Sequence, residues 1–236
     1  MQPHFYAILL AGVAGLSMPL GGLLAWCEHI SNPVLRNRVL HTIAAFGGGA
    51  LASAVALVLV PEAAAALPAA WAVGLFAAGG LVFYLVDTLL QRHGGSGALL
   101  LAMLLDYLPE AMALGAMLVA DAATAKLLAL MIFLQNLPEG FAAFREVWSG
   151  DSPAWHVLLL FLGLAALGPA CALAGLFWLA EAHAVLGGIM IFAAGGILYL
   201  LFQDIAPKAH SNRSSAPALG AVAGFALGLA GHLLIG

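Results

Sequence analysis

Apolar stretches of about 20 residues, the length a helix needs to cross a bilayer, follow one another along almost the whole chain. Approximate spans are 5–27, 39–60, 69–91, 98–119, 126–147, 155–180, 185–206 and 216–235. Turn and charge signals separate them: Ser31-Asn32-Pro33, Pro61 to Pro68, His93 to Ser96, Asp121, Ser149 to Pro153, Glu181 to His183 and Ser211 to Pro217. No segment alternates polar and apolar residues over the length of a barrel strand. The expected fold is therefore an all-α integral membrane protein, with eight transmembrane helices in a single domain over residues 1–236.

Composition excludes the soluble alternative. The chain is 64% hydrophobic and 8% charged, whereas an average soluble domain is about 25% charged. A net charge of −4 with no basic patch removes nucleic acid as a partner and leaves the lipid bilayer as the expected environment. The opening MQPHFYAILLAGVAG lacks the positive n-region of a signal peptide and reads as the first span. Cys27 and Cys171 have no metal-ligand spacing and read as packing residues.

Lys and Arg orient the spans. The connections after spans 1, 3, 5 and 7 carry Arg36, Arg38, Arg92, Arg145, Lys208 and Arg213, and the opposite side carries only Lys126. This asymmetry places those connections in the cytoplasm and both termini outside. There is also internal symmetry. Phe46-Gly47-Gly48-Gly49-Ala50-Leu51 precedes Pro61 by the same interval at which Phe192-Ala193-Ala194-Gly195-Gly196-Ile197 precedes Pro207. Leu108-Pro109-Glu110 in span 4 likewise echoes Leu137-Pro138-Glu139 in span 5. Repeats in oppositely directed helices are the pattern of inverted-repeat transporters, whose sites lie at the midplane between repeats.

Spans 4 and 5 carry the candidate site. Asp106 and Glu110 are spaced i, i+4, as are Gln135 and Glu139, so each pair shares one helix face. At ~1.5 Å per residue all four lie near mid-bilayer, where they are expected to converge on one point. An ionised carboxylate at that depth costs about 2.5–3.5 kcal/mol on insertion scales, and no Lys or Arg within the hydrocarbon is placed to neutralise it. These groups must therefore hold protons, face water or bind a cation. Pro109 and Pro138 cannot donate to the carbonyls of Leu105 and Leu134 and are expected to bend their helices beside the carboxylates.

These residues resemble the ZIP (Zrt/Irt-like) family of divalent-metal transporters over nearly the whole chain. Gln135-Asn136-Leu137-Pro138-Glu139-Gly140 is similar to the fifth-span metal motif of that family, and Asp106-Tyr107-Leu108-Pro109-Glu110-Ala111 is a divergent form of the fourth. Phe46 to Glu62 and Tyr199 to Pro207 resemble its second and seventh spans. The resemblance implies a 3+2+3 inverted-repeat bundle with extracytoplasmic termini in the cell (inner or plasma) membrane. It implies a homodimer as partner and a metal site formed by Asp106, Glu110, Gln135 and Glu139, with Asn136 as an auxiliary ligand.

Asp106 stands where the family has His, and Tyr107 where an Asn helps hold a second metal, which argues against a second site here. The all-oxygen donor set suits Mn²⁺, Fe²⁺ or Mg²⁺ better than an imidazole site would, although Zn²⁺ is the family default, with Cd²⁺ a further candidate. The expected activity is transport of a divalent cation into the cytoplasm, with the metal as substrate and no cofactor. The alternative is a non-transporting metal sensor or scaffold. No H-E-x-x-H motif or matched aspartate pair suggests an intramembrane protease. His41, His210, Asp87 and Asp204, near the cytoplasmic face, are candidates for an exit path, and Glu62 marks the outer end of span 2.

Overall fold

A computed structural model describes residues 3–93, 98–148, 150, 153–209 and 215–235, and these form an all-helical bundle. The long helices are α1 (Pro3–Cys27), α2 (Pro33–Ala66), α3 (Ala69–His93), α4 (Ala98–Ala120), α5 (Ala122–Val147), α6 (Ala154–Leu179), α7 (His183–Ile205) and α8 (Ala216–Ile235). Among the described residues, seven of them are long and apolar enough to cross a membrane. The eighth, α4, is 23 residues long and carries Asp106 and Glu110 within an otherwise apolar sequence. This is the architecture of a multi-pass membrane protein. Large apolar side chains such as Trp71, Val73, Phe177 and Trp178 face outward, where lipid would meet them.

Two helices begin earlier than hydropathy alone predicts. The start of α2 moves from residue 39 to Pro33 because the Asn32 side chain accepts from the amides of Val34 and Leu35. Proline is also suited to the first helical position. Asp121 likewise caps α5, accepting from Ala123 and Thr124, so that helix begins at Ala122 rather than 126. Both α4 and α5 run without a break through Pro109 and Pro138.

Departures from α-helical winding fall elsewhere. Gly175–Leu179 in α6 is π-helical, and so are two segments that share a pattern, Val55–Leu59 in α2 and Leu201–Ile205 in α7. Each of these two closes with an i→i−5 bond, Val60 N–H to the Val55 carbonyl and Ala206 N–H to the Leu201 carbonyl. Each lies just before a proline, Pro61 or Pro207, which has no N–H to continue the α-helical ladder.

Packing relates the helices in matching pairs. The α1 helix lies on α5 and α6, α4 on α5 and α6, α2 on α8, and α3 on α7; α2 and α7 also touch each other, and pack on α5 and α4 respectively. Close approach at these crossings needs glycine. A Cβ on Gly49 would strike the Ala221 carbonyl, and one on Gly224 the Phe46 carbonyl. At the α3–α7 crossing, Gly79 meets the Phe192 carbonyl and Gly195 that of Phe76 in the same reciprocal way. Small residues that let backbones touch are the usual means of packing helices in membranes.

Candidate metal site

The α4 and α5 helices face each other in antiparallel register. Gln135 Nε2 donates to Glu110 Oε2 at 2.5 Å. One turn away, Asp106 and Glu139 line the same cavity. The pairs Asp106–Glu110 and Gln135–Glu139 are both spaced i, i+4, so each presents its two side chains on one helix face. Among the described residues, no three His, Cys, Asp or Glu side chains are grouped closely enough to hold one ion. The three carboxylates nonetheless lie within electrostatic range of one another.

Burial is nearly complete. Glu110, Gln135 and Asn136 are 0% exposed and Asp106 is 2% exposed, whereas Glu139 is partly accessible. Among the described residues, Asp106 Oδ1, Glu110 Oε1, Gln135 Oε1, Glu139 Oε2 and both side-chain polar atoms of Asn136 have no hydrogen-bond partner. Buried polar atoms are normally paired, and a buried carboxylate without a counter-charge is costly. The ion pairs of Glu28 with Arg36 and Arg145 lie at helix ends and leave the site uncompensated. Five residues in two adjacent helices thus present oxygen donors that the protein itself does not satisfy.

A cavity of about 70 Å³ lies beside them, between α2, α4, α5 and α7. At roughly 10–15 Å³ per water it could hold several. Its walls are Ala44, Gly47, Gly48 and Leu51 of α2, Met103 and Asp106 of α4, Pro138, Glu139 and Ala142 of α5, and Leu200, Asp204 and Ile205 of α7. It lies toward the bundle end that carries Arg36 and Arg145. Gly47 provides room there, since a Cβ at this position would press on the Pro138 ring.

No protein-family model and no curated protein matches the chain.

Of the suggested exit residues, Asp204 lines the cavity. Asp87 instead accepts from the Tyr199 hydroxyl at 2.8 Å, between α3 and α7. His41 lies within α2, not at its start, and His210 is outside the described residues. Glu62 is in the first turn after the π segment of α2, exposed.

Two residues near the site were not legible as partners of anything in the sequence. Met103, 2% exposed, is a cavity wall one turn from Asp106. Tyr107, completely buried, donates its hydroxyl toward the carbonyls of Ala11 in α1 and Ala165 in α6, at 3.1 and 3.2 Å. The Ala165 carbonyl is free to accept because Pro169, four residues on, has no N–H. That proline was the available signal.

Proposed function

We propose that this protein carries divalent metal cations across a membrane, as the ZIP-type resemblance of its fourth and fifth spans implies. One observation carries the reading: unpartnered carboxylate and amide oxygens, almost wholly buried, border a cavity leading toward one end of the bundle. Asp106, Glu110, Gln135 and Glu139 are the proposed ligands, and Asn136 the auxiliary one. A mobile cation or protons would compensate the carboxylates, so metal affinity should fall as protons compete at lower pH. Zn²⁺, Mn²⁺ and Fe²⁺ are the candidate substrates.

The matched π segments and reciprocal glycine crossings support a 3+2+3 inverted repeat that relates α2 to α7 and α3 to α8. The distribution of Lys and Arg supports extracytoplasmic termini in the cell membrane. On that topology the cavity faces the cytoplasm, the arrangement of an inward-facing carrier.

Metal uptake into proteoliposomes, with wild type beside Glu110→Ala and Glu139→Ala, tests the reading. Uptake that disappears in both variants supports it. Uptake unchanged in both overturns it, and metal binding without flux would favour the sensor or scaffold alternative.

A further inference from the structure

The cavity beside Asp106 and Glu139 is walled almost entirely by hydrocarbon. Among the described residues that line it, Asp106, Glu139 and Asp204 supply oxygens, and the only other side-chain heteroatom is the sulfur of Met103. Met103 and Asp106 are spaced i, i+3 on α4, a separation that places side chains about 5–6 Å apart at Cβ on one helix face. The methionine side chain has three rotatable bonds before its polarizable thioether, enough to swing the sulfur toward an ion held by the Asp106 carboxylate. It is 2% exposed, buried against the bundle apart from its contact with the cavity.

We propose that Met103 is a specificity-determining residue that supplies a soft donor to a cation in this cavity and shifts the preference toward polarizable divalent ions. The proposal rests on the transport reading above and refines its substrate class. Carboxylate, carbonyl and water oxygens alone suit hard ions such as Mg²⁺ and Mn²⁺, whereas thioether sulfur selects softer ones. A thioether is uncharged, so it adds this preference without adding to the negative charge already gathered by the carboxylates. Zn²⁺ and Cd²⁺ would gain from the sulfur; Mn²⁺ would not.

The test uses the full chain in lipid nanodiscs, with Cd²⁺ and Mn²⁺ as probes. Binding is measured by calorimetry, and the cadmium environment by X-ray absorption. Met103→Leu keeps the volume and removes the sulfur. Met103→Gln keeps the length and replaces sulfur with an oxygen donor. The expected result is a cadmium–sulfur scattering shell in wild type that is absent from both variants. The Cd²⁺ over Mn²⁺ affinity ratio should fall roughly tenfold in Met103→Leu, at the low end of what removing one supporting group costs a metal site, with Mn²⁺ affinity unchanged. Met103→Gln should move the ratio further toward Mn²⁺. A wild-type shell made only of oxygen and nitrogen overturns the proposal even if neither variant folds, as does an unchanged ratio in Met103→Leu. If wild type binds neither cation, the transport reading falls and this refinement falls with it. Binding of both cations without a sulfur contribution overturns the refinement alone.

Discussion

Gln135 and Glu110 are joined across the α4–α5 interface by a single hydrogen bond of 2.5 Å, and both side chains are 0% exposed. The bond orients the carboxylate and leaves Glu110 Oε1 and Gln135 Oε1 without protein partners. Gln135→Leu removes the donor at nearly constant volume and strands a buried carboxylate. Hydrogen bonds to charged groups are worth about 1.5–3 kcal/mol. Thermal unfolding in detergent should show a loss of that order, together with weaker cation binding. A variant as stable as wild type, with unaltered binding, would show that the bond orients nothing.

Tyr107 neighbours the site in sequence but engages the opposite side of α4. Its hydroxyl sits between the carbonyls of Ala11 and Ala165, and its ring packs where a Cβ on Gly15 or Gly168 would collide with it. Tyr107→Phe leaves the Ala165 carbonyl, already abandoned by Pro169, with no donor. A buried acceptor left in that state costs about 1–3 kcal/mol. The expected outcome is a lower melting temperature with cation affinity unchanged, since the hydroxyl is directed at α1 and α6. Loss of affinity without loss of stability would instead assign Tyr107 to the site.

Gly47 forms the α2 wall of the cavity against the Pro138 ring. Gly47→Val fills that space and drives two branches into the proline. Overpacking of this kind costs about 1–3 kcal/mol. Cation uptake in proteoliposomes should fall together with stability. Gly163, beside which an added Cβ meets nothing within 4 Å, is the control. Gly163→Val should leave uptake intact, and equal loss in both variants would mean that the cavity wall is not special.

How much of this was legible in the sequence differs from residue to residue. The spans were, because a run of apolar residues in a chain with few charges has only the bilayer to enter. The helices extend beyond the apolar runs at two starts: α2 begins at Pro33, ahead of Arg36 and Arg38, and α5 at Ala122, ahead of Lys126. The caps at Asn32 and Asp121 fix those starts through hydrogen bonds. The i, i+4 pairs Asp106–Glu110 and Gln135–Glu139 could be assigned to common faces from spacing alone. How the two pairs sit against each other could not, since it depends on the register between helices, which no local pattern encodes. The prolines show the same dependence on packing. Pro109 and Pro138 sit inside unbroken helices, while Pro61 and Pro207 adjoin π turns. A missing N–H can be accommodated by either winding, and packing decides which.

The last expectation concerns acid stability at the bundle end that bears the arginines. Glu28 accepts from Arg36 Nε at 2.9 Å, Arg145 Nη1 at 3.2 Å and the Ile30 amide at 2.8 Å, tying the α1–α2 link to the first turn of α2 and the last turn of α5. The Ile30 amide first, and then Arg36 and Arg145, hold its carboxyl below the ordinary value of 4.5. A carboxylate whose pKa is lowered by folding stabilises the folded state above its unfolded pKa. That contribution is lost as pH falls through the lowered value. Both arginine side chains remain partly exposed, at 41% and 34%, so screening limits each pair to about 1 kcal/mol or less. Glu28→Gln should therefore melt slightly below wild type at pH 7, and the gap should close as pH drops below 4.5. About 1 M salt, where the Debye length is only about 3 Å, should narrow the gap at neutral pH as well. A gap that persists undiminished at pH 3 would mean that the carboxylate charge contributes nothing at this corner and that only the shape of the side chain matters.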